Sequence, residues 1–277
     1  MQRQTLGGIV TLKGIGLHTG RPCSMTFRPS SQGYISFART DIKGAQPIAA
    51  ALESVISTMR GTNLANDTAE VQTVEPVLSA ANAFGVTDLI VEMDGPEPPV
   101  MDGSALQYAL AMQRAGFKPL GGDYPSLSLK EPVEFKDGDI FYKAEPADKT
   151  MLSFTFARRH PFAPAARQEF NFELTPENFL KEIAPARTFG FEEELAFLKQ
   201  HGLAKGGSLE NSVIITKQGY LNTPRFETEL ARHKILDMLG DFNLMRRALG
   251  KTRVSCQGGG HKSNIAFAKI LLEKQGQ

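Results

Sequence analysis

The sequence predicts an α+β fold made of two similar layers, each running strands first and helices afterwards. Three observations carry this. Short runs of alternating apolar and β-branched residues open each half. Stretches with helical spacing and recognisable ends follow them. A break rich in glycine and proline, "PLGGDYPS" at 119–126, lies between the halves. Strands followed by helices argue against an alternating βαβ parallel sheet. Residues 1–120 are therefore expected to form an N-terminal α+β domain, 121–126 a linker and 127–277 a C-terminal α+β domain. Identity between the halves is too low to identify an internal repeat.

In the first half, "GGIVTLKGIGLHTG", "CSMTFRP" and "YISFART" read as strands parted by glycines. "VEPVLSAANAFGV" reads as a short helix, with Thr73 as N-cap and Gly85 as its stop. "TDLIVEMDGPEPPVMDGS" is a strand and a Pro/Gly loop, and "SALQYALAMQRAGF" a helix between Ser104 and Gly116. In the second half, strands resume in "LSLKEPVEFKDGD", "IFYKAEPA" and "MLSFTFARRH". "TPENFLKEIA" is a helix capped by Thr175, with Pro176 in its first turn. "FEEELAFLKQHG" is a helix with an acidic first turn, ended by Gly202. "SVIITKQGYLN" reads as a hairpin, "ETELARHKILDMLGDFNLMRRALG" as the longest helical stretch and "SNIAFAKILLEKQ" as the last helix.

Bulk composition excludes several functions. The 277 residues carry 31 basic and 30 acidic side chains, a balance that calls for neither nucleic acid nor an anionic membrane. Cys23 and Cys256 form no CxxC motif, which fits a reduced cytoplasm and excludes a disulfide framework. The N-terminus lacks the apolar region of a signal peptide. No run approaches the roughly 20 apolar residues of a membrane helix. The reading is a cytoplasmic monomer with at most a peripheral membrane contact, still able to handle a lipid substrate.

On a helix at about 100° per residue, His233, Asp237 and Asp241 share an arc of roughly 80°. Ile235, Met238, Leu239, Phe242 and Met245 lie opposite. The polar stripe therefore faces water or a cleft, and a solvated face is one reading of it. The other is a metal chelate, because imidazole and carboxylate at i and i+4 converge on one ion and suit Zn²⁺. Asp241 lies about 12 Å along the axis from His233, too far to join them and better placed to orient another side chain. "CQGGGHKSN" places His261 after three glycines, with Ser263 able to cap the following helix. It lacks the spacing of a phosphate or dinucleotide loop.

The strings "GIGLHTG", "TVE", "PPVMDGSA", "ARTFGF", "GLAKGGSLENSVII", "RFETELARHKILDMLGD" and "GGHKSN" occur together in this order. From about residue 4 onward the chain resembles the UDP-3-O-acyl-N-acetylglucosamine deacetylases, zinc amidases of lipid A synthesis. The resemblance implies two βααβ sandwich domains with helices packed face to face and the site at their junction. It implies UDP-linked acylated N-acetylglucosamine as the ligand. It implies His233 and Asp237 as zinc ligands, Glu75 as general base and His261 as the charged partner that protonates the leaving amine. Asp241 would orient His261, Thr188 would donate to the oxyanion, and Lys234 would contact the reacting region. Phe189, His18 and Gly207 would touch substrate, with 188–215 forming the acyl passage.

The sequence departs from the family where "TVE" is followed by histidine, the third zinc ligand: here stands Pro76. Proline cannot coordinate, yet it is tolerated in a first helical turn. Three outcomes follow. Glu75 swings in as ligand; another donor such as His18, Asp67 or Cys256 fills the gap; or the site is nearly metal-free. Two functions follow in turn: a deacetylase with an altered metal shell, or a silent homologue that binds the nucleotide sugar or a protein partner and regulates the pathway. A sugar kinase is excluded by the missing phosphate loop. Arg60 and Gly61 are candidates for further disabling substitutions, since the family more often has cysteine or another small residue hereabouts, and Arg60 is expected to reshape the pocket mouth. His160 with Arg158 and Arg159 is read as a solvated loop, with phosphate contact as the alternative.

Overall fold

The computed structural model describes residues 1–275. The first half comprises β1 (Gln2–Leu6), β2 (Val10–Ile15), β3 (Pro22–Pro29), β4 (Ile35–Arg39), β5 (Ile48–Ala49), β6 (Val55–Ser57), β7 (Asn63–Ala65), β8 (Glu70–Val71), α1 (Glu75–Ala83), β9 (Leu89–Met93) and α2 (Leu106–Ala115). After β10 (Phe117–Asp123) come β11 (Val133–Asp137), β12 (Ile140–Pro146), β13 (Met151–Ala157), α3 (Ala163–Ala166), β14 (Arg167–Glu173) and α4 (Pro176–Asn178). The chain ends with β15 (Phe189–Phe191), α5 (Glu192–Gln200), β16 (Val213–Ile215), α6 (Glu229–Asn243), β17 (Thr252–Gln257) and α7 (His261–Lys274).

The class is α+β, and its two main sheets repeat one topology. One runs β2-β3-β9-β4-β5, the other β11-β12-β17-β13-β14. In both, the first strand pair is a hairpin and the last strand inserts at the centre. It runs parallel to one neighbour, β9 to β4 and β17 to β13. Each sheet is thus mixed, where the sequence order had argued only against an alternating parallel sheet. A helix, α1 or α6, lies between the paired strands and returns the chain across the sheet in the same direction. The duplication is plain in the backbone although it is not detectable in the residues.

Helices α1 and α6 pack against each other between the sheets. Their meeting point is Gly240, where an added Cβ would lie 2.1 Å from the Glu75 carbonyl oxygen. Glycine there lets one helix touch the backbone of the other, at the level of Glu75. Val77, Leu78, Ala80 and Ala81 of α1 and Ile235, Leu236, Met238, Leu239 and Phe242 of α6 are fully buried. Each large one contributes roughly 1.5–3 kcal/mol to this junction.

Gly85, Gly116 and Gly202 follow the ends of α1, α2 and α5 at positive φ, and Thr175 accepts from the Asn178 amide at 3.1 Å. Other local expectations are corrected. Thr73 is no N-cap: Val74 holds that place, and the Thr73 hydroxyl donates instead to the buried Glu97 at 3.0 Å. An enclosed carboxylate has the greater need of a donor. Ala105, not Ser104, is the N-cap of α2, with Ser104 Oγ accepting from the Leu106 amide at 3.2 Å. Gly260 is the N-cap of α7, and Ser263 reaches back to accept its amide at 3.0 Å. Gly121, Gly122 and Asp123, expected in the linker, end β10, which pairs antiparallel with β1. The expected hairpin at 212–222 reduces to one bridge, Ile215 to Tyr220, because β16 pairs in parallel with β15. Among the described residues no helix is long and apolar enough to cross a membrane. Cys23 and Cys256 are both free and buried.

Candidate active site

The polar stripe of α6 is not a solvated face. His233, Asp237 and Asp241 are 6%, 2% and 0% exposed. His233 and Asp237 line a cavity of about 380 Å³, together with Glu75 and Pro76 of α1, Thr188, Phe189, Lys234 and, from the first turn of α7, His261, while Asp241 is buried behind its wall. The large apolar side chains that held the opposite face of α6 against the sheets oblige the stripe to point here.

The buried Asp241 carboxylate is the anchor. It accepts from His261 Nδ1 at 3.0 Å, from Asn264 at 2.7 Å and from the Thr62 hydroxyl at 2.5 Å. His261 Nε2 is thereby aimed into the cavity, 3.8 Å from Glu75 Oε1 and 3.9 Å from Asp237 Oδ2. The other Glu75 oxygen accepts the Thr62 amide at 3.1 Å. Lys234 Nζ donates to Asp237 Oδ2 at 2.7 Å.

These enclosures shift protons in different directions. Burial pushes the Glu75 carboxyl up to about 7, against the pull of His261 and with help from Asp241 and Asp237. Burial opposes the charged form of His261, but Asp241, Asp237 and Glu75 outweigh it and raise the imidazole to about 9. Asp237 is also disfavoured by burial, yet Lys234 and the two imidazoles hold it well below the usual carboxylate range. Burial lowers the His233 imidazole, against the opposing pull of Asp237. The site thus sets an imidazolium beside a carboxyl poised near neutrality, the separation that acid–base chemistry requires.

The donor set fits a zinc-type ion in part. His233 Nδ1 lies 3.1 Å from the Ala186 carbonyl, which leaves Nε2 free at 3.4 Å from Asp237 Oδ1. Two such ligands around one tetrahedral ion stand roughly 3.3 Å apart. Pro76 lines the same cavity and offers no lone pair. Glu75, Asp237 and His261 offer ligand atoms within 4.8 Å of one another, so further donors of the right kind surround Asp237. Of the substitutes considered for the missing ligand, His18, Asp67 and Cys256 do not line the cavity, which leaves Glu75.

His18 and Gly207 line a second, apolar cavity of about 350 Å³, with Leu195, Leu198, Leu209, Ile214 and Leu221. His18 is chiefly a bolt between loops. Its Nδ1 accepts the Ala204 amide at 3.4 Å and its Nε2 stands 3.0 Å from the Arg60 carbonyl. His160 packs on Phe191 with ring centres 5.1 Å apart, and Arg158 lies on the other contact of that ring, 3.8 Å from its centre. Arg158 lies in the loop after β13, as expected, but is paired with Glu193 and Glu194, while Arg159 beside it is exposed.

Sequence reasoning missed Thr62, Asn264 and Glu97. Thr62 serves both Glu75 and Asp241. Asn264 sat inside a quoted motif, but only its neighbour Ser263 was read. Glu97, in a Pro-rich loop, accepts from the His18 and Thr19 amides and the Thr19 and Thr73 hydroxyls. A small polar residue after Gly61 was the one available signal for Thr62: a Cβ on Gly61 would come within 3.3 Å of Glu75 Oε1.

The family model described as LpxC, UDP-3-O-acyl N-acetylglycosamine deacetylase, matches residues 3–273. The chain belongs to this deacetylase family. A relative named UDP-3-O-acyl-N-acetylglucosamine deacetylase from Geobacter sp. (strain M21) is 39% identical over 98% of this chain and 89% of its own. Relatives of the same name from Helicobacter pylori (strain J99) and Wolinella succinogenes are 36% and 34% identical, over 98% and 99% of this chain and 92% of theirs. In this deacetylase-family chain the His261–Glu75 contact and the His233–Asp237 pair line one cavity.

Proposed function

We propose that this chain removes the acetyl group from UDP-linked, 3-O-acylated N-acetylglucosamine or a close analogue, in the cytoplasm. The observation that carries this is the Asp241–His261–Glu75 chain of contacts, facing the His233–Asp237 pair inside one cavity. His233 and Asp237 would hold a zinc ion, completed by solvent ligands in place of the absent histidine, since a Glu75 bound to the ion could not also serve as base. Bound there, such an ion supplies a nucleophilic water at neutral pH and polarises a carbonyl.

The chain's own residues do the rest. Glu75, held by the Thr62 amide, takes a proton from the attacking water. His261, kept cationic by Asp241, donates its Nε2 proton to the departing amine nitrogen. Thr188 and Lys234, on the cavity wall, offer donors where negative charge develops on the amide oxygen. Phe189 flanks the sugar, and the apolar cavity beyond it, with Gly207 in its wall, accommodates the acyl chain.

Pro76 favours a second reading: a silent family member that binds the nucleotide sugar or a protein partner without cleaving it. Two measurements separate the readings. Metal content of the purified protein near one equivalent, with acetate released from the UDP substrate, is expected for the deacetylase. Less than a tenth of an equivalent and no acetate in added Zn²⁺ overturns it. Pro76→His is expected to raise metal affinity by more than the roughly 10–100-fold that an orienting partner contributes. If neither metal nor activity follows, the remaining site is not competent.

A further inference from the structure

The reacting cavity and the apolar cavity share Leu17, Arg60, Thr188 and Phe189 in their walls. Those side chains are the doorway between them. Three are neutral; Arg60 is the charged one. Its backbone has φ 66, a conformation L residues seldom adopt, and its carbonyl is held by His18. The residue is therefore fixed at its root while its guanidinium reaches across to α5. There it meets Glu194 at 2.7 Å. Glu194 is itself set in place by Arg158, also at 2.7 Å, and Arg158 rests on Phe191. The Glu194 side chain is 18% exposed and that of Arg60 40% exposed. The acceptor is rigid and half-enclosed; the donor is long, flexible and solvated. Such a pair is firm enough to stand across a passage and weak enough to part.

We propose that Arg60 is a specificity determinant for the lipid portion of the ligand: with Glu194 it forms a bar across the doorway, and an alkyl chain reaches the apolar cavity only by parting that ion pair. The inference rests on reading the apolar cavity as a chain-binding site. Ligands without a chain, or with one too short to reach the doorway, leave the pair intact. Ligands whose chain passes through must break it, so the bar lowers their affinity alone. Removing either charge relaxes this discrimination, and salt, which screens an exposed pair, acts in the same direction.

The test uses the full chain and two probes. One is UDP-N-acetylglucosamine, which has no acyl chain; the other is an uncharged dodecyl dansylamide, which has no nucleotide. Dissociation constants are measured for the wild type, Arg60→Gln, Glu194→Gln and Arg60→Lys, with melting curves to confirm that each variant is folded. The expected result is dodecyl binding two- to fivefold tighter in Arg60→Gln and Glu194→Gln, the range of an exposed ion pair. Arg60→Lys, which keeps the charge, should stay near wild type, and UDP-N-acetylglucosamine should bind all four alike. Raising salt should narrow the gap between wild type and Arg60→Gln. Equal or weaker dodecyl binding in Arg60→Gln overturns the bar, as does no dodecyl binding to any of the four. Failure of UDP-N-acetylglucosamine to bind counts against the proposed function alone, since the alkyl probe still decides the role of Arg60.

Discussion

Helices α1 and α6 occupy the same place in two copies of one topology, and they differ in what they carry. Helix α1 is short and rich in alanine, with one functional side chain, Glu75, in its first turn. Helix α6 carries His233, Lys234, Asp237 and Asp241 along one face. The helices that follow the central strands differ likewise: α2 opens on Leu106 where α7 opens on His261. The duplicated scaffold creates a cleft between equivalent helices, but the chemistry is loaded on one side. Pro76 therefore removes a donor from the half that had the fewest.

This asymmetry is open to challenge. The largest effect is expected at the loaded helix. Asp241→Ala strands the Thr62 hydroxyl, the Asn264 amide and the His261 ring together. It should cost about 3 kcal/mol in urea denaturation and abolish turnover. A loss below about 1 kcal/mol would show that the anchor is not energetically central. At the crossing, Gly240→Ala forces a methyl group against the Glu75 backbone. An overpacking cost of about 1–3 kcal/mol is expected, together with displaced Glu75 and reduced acetate release.

The site's protons give a smaller effect. Both Glu75 and His261 are raised in the fold, to about 7 and about 9. A raised group favours the folded state fully below its unfolded pKa and loses that contribution as pH rises through the folded value. With metal chelated, the melting temperature should therefore fall by a few degrees between about pH 6.5 and pH 9, above the range in which the lowered His233 acts in the opposite direction. His261 should titrate near pH 9 in NMR spectra. A midpoint near 6.5 would mean that Asp241 does not hold it charged. The smallest effect belongs to the sparse helix: Ser79 is fully buried and its hydroxyl has no partner among the described residues. Ser79→Ala should be neutral or stabilising by up to about 1 kcal/mol in the same denaturation assay.

Most elements were legible because their signals are local. Gly85, Gly116 and Gly202 mark helix ends through backbone freedom, and the 3.6-residue period of α6 shows a stripe whatever lies beside it. Thr73 was misread for the converse reason: its hydroxyl had a choice between its own helix and Glu97, which lies 24 residues away in sequence. The pairing of β16 with β15 and the entry of β10 beside β1 are likewise choices among distant partners. So too is the burial of the His–Asp stripe, which the helical wheel left divided between water and a cleft.

The residues by themselves determined which chemistry this chain can hold: an imidazole and a carboxylate one turn apart, a second imidazole after a glycine run, an acid before Pro76. Those are covalent facts, and spacing on a rod follows from them. The tertiary structure alone decided that these groups share a cavity, that Asp241 aims His261 at Glu75, and that Arg60 closes on Glu194. Such contacts join residues from about 20 to more than 130 positions apart, and only the packing of two sheets around α1 and α6 brings them within reach.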